Sequence, residues 1–330
     1  MIFGRKKQEK VLVVKSENLS EFVAADAAFG AIRESHPDAE IVLLTSPDMA
    51  RLAKAAPYFD MVWGDGAPAD KEARKQLASR IKREKFARVY DLDNTPDSAR
   101  YFRALQPFAP KWSGSVSGAA LRHVPEKRVI RHTVDRFADQ LAVANVEADR
   151  RSGDVRWALS ARKDAANMQP TWYGVSGPFV LLAPAREDEK RWPAAQYARL
   201  AETLRAQGLT PVLVGGVEKQ PVGEHISRRA SGVINLLGKT DLLQLSALAD
   251  KAVCFVGDDT APSQLAAAVG CPGVMLLSNA SDPALVSPRG RDVVLLTADD
   301  LADLPVEDVV RTLRNTGRLE KTAPTPAAAP

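Results

Sequence analysis

The sequence predicts an α/β protein made of two doubly wound, parallel-sheet halves, and three observations carry that prediction. Short, wholly apolar runs recur, at residues 11–14, 41–44, 179–182 and 274–277. Runs without polar alternation suit strands covered on both faces. Between them lie stretches with apolar residues at helical spacing, joined by loops of a few residues, which is the β-α-β signature. The third observation is an irregular stretch at residues 147–177, punctuated by Pro170, Gly174, Gly177 and Pro178, after which the same alternation starts again.

Taken in order, the strand at 11–14 leads through a polar loop to Glu21, which opens a helix carrying Phe22, Val23, Ala27 and Ile32 on one side and ending near His36-Pro37. A strand at 41–44 and a helix at 48–56, stopped by Pro57, follow. After a short strand at 61–63, a charged helix at 71–85 turns Leu77 and Ile81 inward. The strand at 88–92 then delivers Asp91, Asp93 and Asn94 to the rim occupied by the loop at 15–21, and a helix at 133–145 closes the half. The second half opens with a strand at 179–182 and a helix at 194–207, with Gly208 placed as its C-cap. Next come a strand at 211–214, a tight turn at Gly215-Gly216, a helix at 220–230, a strand at 233–236 and a Leu-rich helix at 241–249.

The chain is organised around residues 252–268. An apolar strand breaks at Gly257, presents Asp258, Asp259 and Thr260, and resumes as the small-residue surface of a helix. In open α/β sheets, ligands bind beyond the carboxyl ends of strands, where a helix N-terminus offers N–H groups and a positive dipole end. The plainer reading is an N-cap, which Asp and Thr favour. Strands at 274–277 and 293–296 and a helix at 306–314 complete the series. The expected division is residues 1–165 and 166–315, with a disordered tail at 316–330 whose Pro- and Ala-rich end buries too little to order itself.

Composition is that of a soluble globular protein, 45% hydrophobic and 26% charged. The 45 basic and 41 acidic residues are too evenly matched and dispersed for a nucleic-acid footprint. Arg5, Lys6, Lys7 and Lys10, with the run at 82–85, are basic enough to favour an anionic membrane surface, although charge runs are mostly solvated faces. Only Cys254 and Cys271 are present, which fits a reducing compartment rather than a disulfide framework. With no apolar stretch long enough to span a bilayer and no apolar region behind the first charges, the expected location is cytoplasmic, peripheral on the inner face of the membrane.

Nucleotide and metal fingerprints are missing. No Gly-x-Gly-x-x-Gly follows the first strand, there is no P-loop, and neither His-Glu-x-x-His nor Cys-x-x-Cys occurs. Chemistry without metal or cofactor is expected. What remains is Glu21 in the first half, with Lys15, Asp91 and Asp93 as acceptor-side candidates, and Lys190, Asp258, Asp259, Thr260, Ala261 and Gln264 in the second. A lysine beside one helix start, facing another that offers a hydroxyl and N–H groups, suits a diphosphate. Lys190 has a surface role as its alternative, Glu21 that of a helix N-terminal acid favoured by the dipole, and the strand-end aspartates that of turn formers.

The segments Leu181 to Pro184, Lys190-Arg191-Trp192-Pro193, Gly215-Gly216, Asn235 to Thr240 and Gly257-Asp258-Asp259-Thr260-Ala261-Pro262 together resemble glycosyltransferase family 9, the ADP-heptose:lipopolysaccharide heptosyltransferases. The amino-terminal half is similar through residues 11–15, the helix from Glu21, Tyr90-Asp91-Leu92 and His132 to Arg136. The resemblance implies a GT-B fold, two Rossmann-like domains facing across a cleft, with acceptor bound to the first and donor to the second. It also implies inverting, metal-independent transfer of a heptose from an ADP-sugar to a lipopolysaccharide inner-core acceptor. Lys190 takes the place of the lysine near the donor phosphates, Asp259 that of the acid holding sugar hydroxyls, and Thr260-Ala261 that of the diphosphate-holding turn. Glu21 stands where the family has an Asp base. Ala261 and Gln264 replace a family Gly and His. Two alternatives stay open: a catalytically silent GT-B protein binding nucleotide or glycan, and an NAD-dependent oxidoreductase.

Overall fold

The computed structural model describes residues 8–124, 131–151, 153–161, 165–186, 191–289 and 291–319. The chain divides into two compact units, Met1–Gly153 and Asp154–Pro330. The first contains β1 (Lys10–Val14), α1 (Leu19–Ala24), α2 (Asp26–Ser35), β2 (Glu40–Leu44), α3 (Pro47–Ala53), β3 (Met61–Trp63), α4 (Lys71–Glu84), β4 (Arg88–Asp91), α5 (Ser98–Ala104), β5 (Lys111–Gly114), β6 (Leu121–Arg122) and α6 (Thr133–Val143). Its strands form one sheet in the order β3-β2-β1-β4-β5-β6. Every pairing in it is parallel, as in Val13 opposite Leu43 and Tyr90.

β1 lies in the middle of this sheet, and its residues Val11 to Val14 are fully buried. An unbroken apolar run is what a strand with helices on both faces requires. The helix expected from Glu21 to His36 is in fact two, interrupted at Ala25, with the buried Asp26 opening the second. Sequence reading missed α5, β5 and β6. Lys111-Trp112-Ser113-Gly114 has one apolar side chain in four, and β6 has only two residues at the sheet edge.

The second unit opens with 3-10 turns, among them Val155–Ser160 and Pro170–Tyr173, inside the stretch read as a linker. It continues with β7 (Phe179–Ala183), α7 (Ala194–Ala206), β8 (Thr210–Leu213), α8 (Gln220–Arg229), β9 (Ile234–Asn235), α9 (Leu242–Lys251), β10 (Cys254–Asp258), α10 (Ala261–Ala268), β11 (Gly273–Leu277), α11 (Pro283–Val286), β12 (Val293–Thr297) and α12 (Val306–Asn315). The sheet order is β12-β11-β10-β7-β8-β9, again parallel throughout. Counted from each unit's own first strand, the two sheets have the same winding. In both, the first and fourth strands are neighbours, so each sheet reverses direction of growth there and opens a crevice at their carboxyl ends.

Trp192 anchors the second core. Its ring is fully buried against Tyr197, with centroids 5.1 Å apart, and its Nε1–H donates to the Leu304 carbonyl at 2.9 Å. Residues 316–319, expected to belong to the tail, are part of the packed second unit. Leu319 is buried in this core, and Arg318 pairs with Asp292, so an apolar and a charged partner hold residues that composition assigned to the tail. Residues 320–330 lie outside the described residues.

Candidate active site

In the first unit, the crevice between β1 and β4 is filled by a charged cluster. Lys15 leaves β1 fully buried, and its Nζ donates to Asp93 Oδ1 at 2.8 Å and to Glu21 Oε2 at 3.0 Å. Asp93 Oδ2 also accepts from Ser16 N at 2.8 Å and Ser16 Oγ at 2.6 Å. Burying a lysine and a carboxylate is tolerable only when they pair and their remaining polar atoms are satisfied, as here. Lys15 and Asp93, read as acceptor-side contacts, are instead braces, since each side chain is only 1% exposed.

Asp91 needs the same correction. It is buried, accepting from Asn94 N at 3.0 Å and Ser98 Oγ at 2.8 Å, which forms the turn into α5. Burial pushes its carboxyl up to about 6 despite these donors. Gln140 of α6 ties the turn down, donating to the Asp91 carbonyl at 2.9 Å and accepting from Asn94 Nδ2 at 2.7 Å.

Glu21 is the member of the cluster that reaches solvent, with its side chain 28% exposed. It sits in the first turn of α1, whose N-cap Asn18 accepts from Ser20 N at 3.0 Å and Glu21 N at 3.4 Å. Asn18 holds this turn at φ 60°, the left-handed region that Asn tolerates best after Gly. Arg136 Nη2 from α6 donates to Glu21 Oε1 at 2.7 Å. Burial works to raise the Glu21 pKa, but Lys15 and Arg136 outweigh it and the carboxyl lies below its usual range. Sequence reading placed Arg136 in a family-like segment without seeing its partner, because the two are far apart along the chain.

In the second unit, the crevice between β7 and β10 is built around two adjacent aspartates that face different ways. Asp258 is fully buried, its Oδ2 accepting from Ala185 N at 2.7 Å and its Oδ1 from Trp192 N at 3.1 Å. Burial pushes this carboxyl up to about 7, against the pull of the two N–H donors. Asp258 is therefore a positioning residue and not a donor contact: it ties the end of β7 to the start of α7. Lys190 lies outside the described residues, on the segment between those two tied points.

Asp259, one residue on, is half-buried at the rim. Ser281 Oγ donates to its Oδ2 at 2.8 Å, and Gln264 Nε2 approaches its Oδ1 at only 3.4 Å. The stronger bond of Gln264, at 2.7 Å, goes to the Val286 carbonyl. An ionised carboxylate has room for about four donors, so Asp259 keeps acceptor capacity toward solvent.

Thr260 stands at the N-cap of α10 but gives no side-chain cap. Its hydroxyl lies 3.1 Å from Ser263 Oγ, which in turn donates to the Asp258 carbonyl at 2.8 Å. With Pro262 lacking a donor, the N–H groups of Ala261 and Ser263 are left without a side-chain acceptor among the described residues. The capping reading of Asp258, Asp259 and Thr260 thus fails, and the start of α10 keeps unsatisfied donors and a positive dipole end. Gly257 allows this turn to pack: a Cβ there would meet Ser263 Oγ at 2.3 Å and Ala183 Cβ at 2.8 Å.

Comparison with known proteins bears on the family and the fold. The family model for glycosyltransferase family 9 (heptosyltransferase) matches residues 74–308. Lipopolysaccharide heptosyltransferase 3 of Escherichia coli is 32% identical over 141 residues, and the match spans 41% of this chain and 41% of that relative's length. Lipooligosaccharide heptosyltransferase 2 of Haemophilus ducreyi is 23% identical over 323 residues, covering 88% of this chain and 89% of its own. Among solved structures, the ADP-heptose lipopolysaccharide heptosyltransferase II of E. coli superposes with a TM-score of 0.77 at 20% identity, over 94% of this chain and 99% of that one. Two Rossmann-like units of identical winding are the GT-B fold, and the family model spans most of the chain; this protein belongs to glycosyltransferase family 9.

Proposed function

We propose that this chain moves a heptose, or a closely related sugar, from an ADP-sugar to a lipopolysaccharide inner-core acceptor, with inversion and without a metal. The first unit takes the acceptor and the second the donor. The observation that supports this most is the start of α10, where uncapped N–H groups adjoin a carboxylate with spare acceptor capacity. Such a pair suits a diphosphate joined to a polyhydroxylated sugar. Family membership and the ADP-heptose-using neighbour support the same donor.

In this reading, an acceptor hydroxyl attacks the sugar carbon as the bond to ADP breaks, and ADP leaves with the bonding electrons. The hydroxyl proton passes to Glu21, which its two cations keep ionised and ready to accept. Developing charge on the leaving diphosphate is met by the α10 N–H groups around Ala261 and by Lys190. Asp259 accepts from sugar hydroxyls, while Gln264 orients Asp259. Lys15 and Asp93 set the position of Glu21, and Asp91 and Asp258 shape the turns behind the two rims. The work takes place at the cytoplasmic face of the membrane.

The test is direct: purified protein, ADP-heptose and a heptose-deficient lipopolysaccharide, followed by ADP release and the acceptor's mass. Transfer that persists in chelator and is abolished in Lys190→Ala and Asp259→Ala is the expected result. Unchanged turnover in both variants removes the assigned roles. A second reading, a silent nucleotide-binding member, draws support from Glu21 being held by two cations and from Gln264 bonding to Val286. ADP binding by calorimetry with no transfer would favour it.

A further inference from the structure

We infer that Ser281, on the loop that leaves β11, sets which donor sugar the second rim accepts. It does so as a positioning residue acting through Asp259, so the inference rests on the reading of Asp259 as the acid that holds sugar hydroxyls. The last side-chain torsion of an aspartate is broad and roughly two-fold. A carboxylate at a strand end therefore needs an outside partner to aim its oxygens. Ser281 is that partner: the residue is only 6% exposed, and its Oγ donates to Asp259 Oδ2 at 2.8 Å.

Two features fix this contact in place. The loop carrying Ser281 follows the wholly buried strand β11 and folds on itself at once, with Ser281 N donating to the Ser278 carbonyl at 3.0 Å and Ala280 N to Ser278 Oγ at 3.3 Å. Gln264 of α10 then donates to the Val286 carbonyl at 2.7 Å. The helix whose first turn adjoins Asp259 thus grips the far end of the same loop. The carboxylate is tied on one side and open on the other: Oδ2 accepts from Ser281, while Oδ1 has only the long 3.4 Å approach of Gln264. Held this way, Oδ1 accepts from one direction, and the site separates sugars by where a hydroxyl stands on the ring. A carboxylate free to turn would follow that hydroxyl and take either epimer.

The experiment is calorimetry of the full chain with ADP, ADP-heptose and the epimeric pair ADP-mannose and ADP-glucose. The parent is expected to bind ADP-heptose more tightly than ADP and to separate the two epimers. Ser281→Ala should weaken ADP-heptose about tenfold and narrow the gap between the epimers, while the Kd for ADP stays within about twofold. Ser281→Cys, which keeps the volume but has only a weak donor, should behave as Ser281→Ala does. The inference is overturned if either variant keeps the parent's preferences. It is also overturned if ADP and ADP-heptose weaken together, since that would make Ser281 a prop of the turn. The underlying reading fails in a different way. A parent that binds ADP-heptose no better than ADP, or an Asp259→Ala variant that keeps the parent's preference, overturns both. Asp259→Ala losing the preference while Ser281→Ala retains it overturns the inference alone.

Discussion

The Glu21 carboxylate is held below its usual range by Lys15 and Arg136, and the second of these is the easier to remove. Arg136→Ala takes away a lowering influence, so the acid limb of the pH–rate profile should move to higher pH while the alkaline limb stays. A profile that does not move would show that Glu21 does not titrate in turnover. Removing a brace has a different signature: Asp93→Ala leaves the Lys15 ammonium buried without its main partner and should cost about 3–5 kcal/mol in urea unfolding. Asp258 gives a third test. Its carboxyl lies near 7 in the fold against 3.8 ordinarily, so the folded state holds this proton more tightly. Its contribution to stability is therefore greatest at low pH and declines as pH rises toward 7. Asp258→Asn should flatten that decline between about pH 4 and pH 7, although it lowers stability throughout by losing an acceptor. Sequence reading grouped Asp258 with Asp259 as donor contacts. The backbone separates them, because successive residues leaving a strand point to opposite sides.

At the level of elements, long apolar runs were legible because strands buried on both faces have no room for polar side chains. β1, β2, β7, β10 and β11 were all placed within a residue or two. β5 and α5 were not, since a strand one position from the sheet edge tolerates Lys111 and Ser113, and α5 has only seven residues in which to show a period. The turn after β10 is the element on which the donor rim depends. Gly257→Ala would drive a Cβ into Ser263 Oγ and Ala183 Cβ, and should lower stability by about 1–3 kcal/mol and weaken ADP binding. Equal melting temperatures for variant and parent would refute that. At the start of α9, Asp241 closes a capping box with Gln244, so Asp241→Ala should cost about 1 kcal/mol in urea unfolding.

For the molecule as a whole, each unit has its own sheet and its own packed interior. Calorimetry should therefore resolve two unfolding steps, and ADP at a hundred times its Kd should stabilise the donor-holding one by about 2.7 kcal/mol. A single transition that shifts as one would show tighter coupling than separate cores imply. Glu21 and Asp93 share one buried ammonium, that of Lys15, so the first rim has a keystone: withdrawing that single side chain would release both carboxylates at once.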